Sequence, residues 1–97
     1  AFPTIKKPQI YIASIGQAET AAALCHSLRL KGIYAECDLL GRSLKAQMKN
    51  ADRIGAAFTV VLGDDEVISR IARLKNMADG TVSEININDM EALAALL

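Results

Sequence analysis

The sequence predicts a small three-layer α/β/α domain in which a mixed sheet of about five strands lies between layers of helices. Two observations support this prediction. From Gln9 to Gly63, short apolar runs alternate with amphipathic segments of helical period. After them, an Asp-Gly turn separates two further strand-like runs. The first three strands are joined by crossovers long enough to contain helices, so they are expected to run parallel.

The first elements are predicted to be a strand, a helix and a second strand. The strand covers Gln9 to Ile15, and Gly16 then opens a turn into a helix over residues 17–31. Gly32 ends this helix, and the second strand covers Ile33 to Leu39. The apolar stripe of the helix comprises Ala21, Leu24, Cys25 and Leu28.

The most informative segment is the second helix and the strand after it. Ser43 is the predicted N-cap of the helix and Gly55 its predicted stop. One face is basic, with Arg42, Lys45, Lys49 and Arg53 at spacings of three and four, and the opposite face is apolar, with Leu44, Met48, Ala51 and Ile54. The run AFTVVLG from Ala57 to Gly63 is typical of a parallel strand covered on both faces.

The last third predicts a hairpin and a final helix. The segments IARLKNM (Ile71 to Met77) and VSEININ (Val82 to Asn88) flank a turn that contains Asp79 and Gly80. Asn88 is the predicted N-cap of the last helix, with Glu91 in the capping-box position. The apolar stripe of that helix is Met90, Leu93, Ala94 and Leu97.

Composition excludes several classes of protein. With 97 residues, the chain suits one domain, and its hydrophobic content of 52% excludes a disordered one. No apolar run reaches the roughly 20 residues of a membrane helix. The 11 basic residues equal the 11 acidic ones, so any attraction for a polyanion must come from a local patch such as the basic helix face. Cys25 and Cys37 are expected to be free thiols in a reducing, cytoplasmic setting.

Three other candidate sites are weaker than the basic face. Cys25 and His26 are adjacent on a helix and point about 100° apart, so they are not expected to form a dyad. The acidic turn from Asp64 to Glu66 follows a strand end and could bind a metal, but a solvated helix start is the favoured interpretation. The turn from Ser14 to Gln17 lacks the glycines of nucleotide-binding loops. For the basic face, the competing interpretation is an ordinary solvated helix surface.

Three segments carry a resemblance to a known family. The run CDLLGRSLKAQMKNADRIGAAFTVVLGDDEV closely resembles the C-terminal anticodon-binding domain of bacterial-type histidyl-tRNA synthetases, which are class II aminoacyl-tRNA synthetases. The hairpin LKNMADGTVSEI and the run YIASIGQAETAAALCHSLRLKGI resemble the same family. The resemblance extends from Gln9 to Leu97. Threonyl- and prolyl-tRNA synthetases share the fold, whereas GRSLKAQMKNADRIGA is similar to the histidyl type in particular.

This resemblance implies a linker over residues 1–8 and an anticodon-binding domain over residues 9–97. The implied fold has a five-stranded mixed sheet, three main helices and one antiparallel strand, the fourth. The family's enzymes are cytoplasmic homodimers that use ATP and Mg²⁺ to attach histidine to tRNA(His). The class II catalytic motifs do not occur in this sequence, so it would be a non-catalytic fragment of a histidine–tRNA ligase, with no cofactor or metal of its own.

The implied partners are the tRNA(His) anticodon stem-loop and the catalytic domain of the parent enzyme, with no membrane or DNA partner. The implied contacts lie at the first strand–helix turn, on the second strand and at the start of the second helix. They are Ser14, Gly16, Gln17, Glu36, Asp38, Gly41, Arg42, Ser43, Lys45, Gln47 and Lys49. Glu36 and Asp38 could accept hydrogen bonds from base amino groups, and Gln47 could bind a base edge or simply pack.

Two other functions stay open from the sequence. One is a regulatory or interaction module of a synthetase-like paralog that no longer aminoacylates tRNA. The other is a flavodoxin-like domain that binds a small ligand, although the turn from Ser14 to Gln17 is a poor phosphate cradle. Aromatic residues are scarce, and Tyr34 is the one candidate for stacking on a base.

Overall fold

A computed structural model describes residues 8–38 and 43–97. Two predicted contact residues, Gly41 and Arg42, lie outside the described residues, as does nearly all of the predicted linker. Pro8, the last residue of that linker, is buried, and its carbonyl accepts a hydrogen bond from the backbone N–H of Ala57 at 3.1 Å.

The sheet has five strands, ordered β2-β1-β3-β4-β5. They are β1 (Ile10–Ser14), β2 (Ala35–Cys37), β3 (Phe58–Leu62), β4 (Ile71–Asn76) and β5 (Val82–Asn86). β1 pairs in parallel with β2 and β3, whereas β4 is antiparallel to both of its neighbours. The predicted mixed sheet with an antiparallel fourth strand is confirmed, and it differs from a doubly wound, all-parallel sheet.

Within residues 8–38 and 43–97, four helices accompany the sheet: α1 (Ala18–Leu30), α2 (Leu44–Ile54), α3 (Asp64–Ser69) and α4 (Met90–Leu96). Three of them are the predicted main helices. The fourth, α3, has six residues and lacks buried positions, so its sequence has no apolar period to predict it. Its first turn holds Asp64, Asp65 and Glu66. Negative charge is favourable at a helix N-terminus, which agrees with the helix-start interpretation of this acidic turn.

The larger core lies on the face of the sheet that α1 and α4 cover. The four residues of the predicted α1 stripe are all buried there. Ala72 and Leu74 of β4 and Leu93 of α4 join the same cluster. Along β4, Ala72 and Leu74 alternate with exposed residues, so one side of the strand faces the core and the other side faces solvent.

The smaller core lies under α2 on the opposite face. Ala51 is buried against Tyr11 and Ala13 of β1, and Leu44, Met48 and Ile54 pack around this cluster. The predicted apolar face of α2 is therefore confirmed. The predicted caps are confirmed as well, because the Ser43 hydroxyl accepts a hydrogen bond from the Ala46 N–H at 3.3 Å and Gly55 is left-handed, with φ of 74°.

Two local predictions need correction. The N-cap of α4 is Asp89 rather than Asn88, because the Asp89 carboxylate accepts a hydrogen bond from the Ala92 N–H at 3.1 Å. The predicted pairing of Asn88 with Glu91 is therefore wrong by one residue. The second strand is also shorter than predicted, since β2 comprises only Ala35–Cys37.

The hairpin between β4 and β5 is confirmed, and its turn is longer than a two-residue one. The Asn76 N–H donates to the Thr81 carbonyl at 2.8 Å, which closes a loop containing the left-handed Gly80, with φ of 76°. The hydroxyl and the backbone N–H of Thr81 both donate to the Asp79 carboxylate and lower its pKa. The turn is thus fixed by hydrogen bonds of its own residues.

Candidate nucleic-acid interface

Several predicted site residues meet at one edge of the sheet. Because β1, β2 and β3 are parallel, their carboxyl ends lie at the same edge, where ligands of α/β proteins commonly bind. Gln17 follows β1, Asp38 follows β2 and Asp64 follows β3. The Gln17 side-chain amide donates to the Asp64 carboxylate at 2.6 Å. This bond joins the first strand–helix turn to the start of α3.

Gln47 connects α2 to this edge through two buried hydrogen bonds. Its Oε1 accepts from the Ser14 N–H at 2.8 Å, and its Nε2 donates to the Ser14 carbonyl at 2.8 Å. β2 ends at Cys37, which pairs with Ile12, so Ser14 lies beyond the last β1–β2 pair. The Gln47 carboxamide therefore makes the bonds that a neighbouring strand would make.

This geometry changes the expected role of Gln47. The side chain is fully buried, at 0% exposure, and both of its amide groups bond to Ser14. Contact with a base edge does not fit that placement, whereas the alternative of packing does. Gln47 is a positioning residue that fixes α2 against β1.

The two predicted acidic contacts lie in different environments. Asp38 is buried, at 2% exposure, so its carboxylate is poorly placed to meet a base. Glu36 is partly exposed on the edge strand β2, where its Oε1 lies 3.6 Å from the guanidinium of Arg29. The Arg29 Nε also donates to the Ala35 carbonyl at 2.9 Å. Glu36 is therefore held in an ion pair that RNA would have to share or replace.

An exposed basic ridge runs along α2. We define this ridge as Lys45, Lys49 and Arg53, which are all exposed and spaced four residues apart. The Arg53 guanidinium donates to the Asn50 side chain at 2.6 Å. Neither lysine forms an ion pair with any described residue. The ridge thus presents two solvated ammonium groups, as contacts with phosphate require.

A groove beside the ridge was missed from the sequence. α2 packs over β1 and β3 and leaves the same face of β4 and β5 open. The resulting groove has a volume of ≈ 790 Å³. Its walls are formed by Met48, Thr59, Val61, Asp65, Glu66, Ser69, Ile71, Ala72, Arg73, Lys75, Val82 and Glu84. The alternation Ile71, Arg73, Lys75 in β4 indicated an exposed strand face and could have revealed it.

The remaining candidates do not form a site. Cys25 is buried and its thiol donates to the Ala35 carbonyl at 3.3 Å, while His26 is exposed, so the two side chains do not form a dyad. Burial, followed by the neighbouring Cys37 thiol, raises the pKa of Cys25 to about 11. A neutral buried thiol is a poor nucleophile.

Tyr34 is half-exposed but lies far from these groups. It precedes β2 directly and is therefore at the amino edge of the sheet, opposite to the edge that holds Gln17. Tyr34 is thus badly placed to stack on a base at the predicted site. Within the described residues, no helix has the length and apolar character needed to cross a bilayer.

Comparisons with known proteins agree on one family. The sequence model of a family described as an anticodon binding domain matches residues 9–95. The histidine–tRNA ligase of Acetivibrio thermocellus is 48% identical over 91 residues, which cover 92% of this chain and 22% of that enzyme. The histidine–tRNA ligase of Clostridium novyi is 38% identical over 97 residues, which cover 98% and 23%. The chain thus spans less than a quarter of the length of these relatives.

Solved structures give the same result. The apo histidyl-tRNA synthetase of S. aureus superposes with a TM-score of 0.85 at 38% identity, covering 91% of this chain and 23% of that one. The RNA binding domain of threonyl-tRNA synthetase from Cryptosporidium parvum superposes with a TM-score of 0.78 at 13% identity, covering 92% and 23%. The second likeness shows the shared fold alone.

Proposed function

Because this chain belongs to the anticodon binding domain family, we propose that it holds the anticodon stem-loop of tRNA(His) within a histidine–tRNA ligase. The observation that carries the proposal is the exposed basic ridge of α2 beside an open groove. Identity of 48% to a histidine–tRNA ligase supports the histidyl type over the threonyl or prolyl type.

The ridge and the groove have different tasks in this proposal. Lys45 and Lys49 contact phosphates, which attract the RNA and set its orientation without reading sequence. The groove receives unstacked bases of the loop, because Arg73, Lys75, Asp65 and Glu84 offer both donors and acceptors to base edges. Gln47 keeps the ridge at a fixed distance from the groove by fastening α2 to β1.

Gln17 and Ser43 are placed to contribute at the carboxyl edge. Gln17 uses its amide nitrogen to bond Asp64 and keeps its amide oxygen for an exocyclic base donor. Ser43 is exposed, and its hydroxyl can donate to a phosphate while it accepts the capping bond from Ala46. Gly41 and Arg42 stay proposed contacts from the family resemblance alone.

The reaction itself belongs to the rest of the parent enzyme. We assign ATP, Mg²⁺ and histidine activation to a catalytic domain, and a cytoplasmic homodimer to the parent. Among the described residues, no three His, Cys, Asp or Glu side chains are grouped to hold a metal ion. In this proposal the chain contributes tRNA positioning, and the chemistry belongs to the catalytic domain.

The test is a salt titration of stem-loop binding to three lysine variants. Lys45→Ala and Lys49→Ala should each weaken binding and lower the salt slope by about one, because each removes one phosphate contact. The matched control is Lys31→Ala, which removes an exposed lysine at the C-terminal end of α1. An unchanged slope in Lys45→Ala and Lys49→Ala, or an equal drop in Lys31→Ala, would contradict the assignment of the ridge.

A further inference from the structure

Arg70 has a backbone conformation that its side chain disfavours. Among the described residues it is the only non-glycine residue with a positive φ, at 65°. Its N–H donates to the Glu66 carbonyl at 2.8 Å, and its own carbonyl accepts from the Ile87 N–H at 2.9 Å. Glycine would make both bonds with less strain, so the backbone gives no reason for an arginine at this position.

Arg70 lines a small cavity together with residues whose polar side chains can donate hydrogen bonds. The cavity has a volume of ≈ 280 Å³ and lies between α1 and the segment after β5. Its lining residues are Thr20, Ala23, Leu24, Ser27, Arg70, Ile87 and Asn88. Two hydroxyls, one amide and one guanidinium are present, and no carboxylate is among them. Leu24 and Ile87 are buried and form an apolar floor.

The guanidinium of Arg70 is not engaged within the described part of the chain. None of the hydrogen bonds or ion pairs of the described side chains includes it. Two acidic residues adjoin cavity residues in sequence: Glu19 is exposed in the first turn of α1, and Asp89 caps α4 through its bond from the Ala92 N–H. Neither carboxylate forms an ion pair with Arg70 among the described residues, so the guanidinium keeps its donors for a ligand.

The cavity lies on the other side of the sheet from the basic ridge. Thr20 is in the first turn of α1, Arg70 precedes β4, and Asn88 follows β5. All three are at the carboxyl edge of β1, yet they are on the face covered by α1 and α4. The groove and ridge are on the face covered by α2, so this cavity is a separate feature.

From these contacts we propose that the Arg70 cavity binds a single phosphate group. A guanidinium can bond two phosphate oxygens at once, and the Thr20 hydroxyl and the Asn88 amide, which lie at the same edge of the sheet, are suited to the remaining oxygen lone pairs. The phosphate comes either from an RNA backbone or from a free phosphate compound. An RNA backbone as the source of the phosphate depends on the proposed function, whereas the phosphate site itself does not.

The first test uses inorganic phosphate and the variant Arg70→Gly. Phosphate is titrated against chloride at constant ionic strength while amide NMR shifts of Thr20, Ser27 and Asn88 are followed. We expect saturable shifts in the natural chain and their loss in Arg70→Gly, which should melt at the same or a higher temperature because strain is removed. Arg53→Ala, a variant of an exposed arginine on α2, should keep the shifts.

Two outcomes would overturn the proposal. One is the absence of saturable shifts at these residues in the natural chain. The other is their persistence in Arg70→Gly with an unchanged midpoint. Since this readout involves no tRNA, it can fail while the stem-loop binding of the proposed function succeeds, and the reverse also holds.

A second measurement identifies the source of the phosphate. If an RNA backbone supplies it, Arg70→Gly should lower the salt slope of stem-loop binding by about one, as for any lost phosphate contact. If a free phosphate compound supplies it, Arg70→Gly should abolish phosphate binding and leave stem-loop affinity unchanged. Both outcomes support a phosphate site and assign its ligand.

Discussion

At the scale of single residues, Gln47 holds the helix that carries the basic ridge against the sheet. From the sequence, Gln47 could either bind a base edge or pack, and in the structure it is fully buried. It satisfies both backbone groups of Ser14 where β2 has ended. A buried amide whose oxygen and nitrogen are both hydrogen-bonded is stabilising, whereas its removal leaves the two buried backbone groups of Ser14 without these partners.

Replacement of Gln47 by methionine tests this role. The volume is similar while the two buried hydrogen bonds to Ser14 are lost, and we expect the free energy of unfolding to fall by about 2–4 kcal/mol. Urea denaturation measures it. Lys49→Met, an exposed position on the same helix, should change stability by less than about 0.5 kcal/mol. Full stability of Gln47→Met together with loss of stem-loop binding would instead make Gln47 a direct RNA contact.

Cys25 predicts a pH dependence of stability. Its pKa is raised from 9.0 to about 11 in the fold, so between these values the unfolded chain loses the proton that the folded chain retains. The contribution of this thiol to the free energy of unfolding is fully present below pH 9. It decreases by up to about 2 kcal/mol as the pH rises toward 11. Urea unfolding of Cys25→Ala and of the natural chain at several pH values checks it. If the free energy of unfolding changed with pH in the same way in both proteins, the prediction would be contradicted.

At the scale of elements, α2 combines a structural face with a solvated one. Its apolar side packs on β1 while its lysines face solvent, and Ser43 and Gly55 fix its ends. Because the N-cap is also a proposed contact with RNA, its two roles can be separated by substitution. Asp caps a helix about as well as Ser does and is favourable beside the helix dipole, yet it repels phosphate.

Ser43→Asp should therefore keep or slightly raise stability while it weakens stem-loop binding. Ser43→Ala should lose about 1 kcal/mol of stability with the cap, and it should weaken stem-loop binding less than Ser43→Asp does, because it removes one hydrogen bond to phosphate without adding a negative charge. Thermal unfolding and stem-loop titration on both variants measure the two effects. If Ser43→Asp bound RNA as well as the natural chain does, the start of α2 would lie outside the interface.

The elements also show how much the sequence could predict. Apolar periods predicted all five strands and three helices, because each buries a recognisable face. The short helix α3 buries no residue and could not be found in this way. Asn88 and Asp89 are both good N-caps, and only the path of the chain after β5 decides between them.

The candidate site was less predictable than the fold, for a physical reason. The basic residues of α2 could be placed from their spacing, and Lys45 and Lys49 are exposed as expected. The groove depends on which strands α2 leaves uncovered, and the burial of Gln47 depends on where β2 ends. Both follow from contacts between segments distant in sequence, which local patterns do not encode.

At the scale of the whole molecule, the uneven covering of the sheet creates the binding surface. α1 and α4 cover one face of the sheet, while α2 covers only part of the other. Net charge is zero, so electrostatic attraction for RNA must come from local basic groups such as those of the ridge. Recognition of a particular loop must then come from contacts in the groove, since phosphate contacts are blind to sequence.

The measurement that tests the central claim most directly compares two stem-loops over a range of salt concentrations. One carries the histidine anticodon and the other a scrambled anticodon on the same stem. We predict tighter binding to the histidine loop with nearly equal salt slopes, because the phosphate contacts are shared and the base contacts are not. Equal affinity for both loops at every salt concentration would contradict anticodon recognition by this chain.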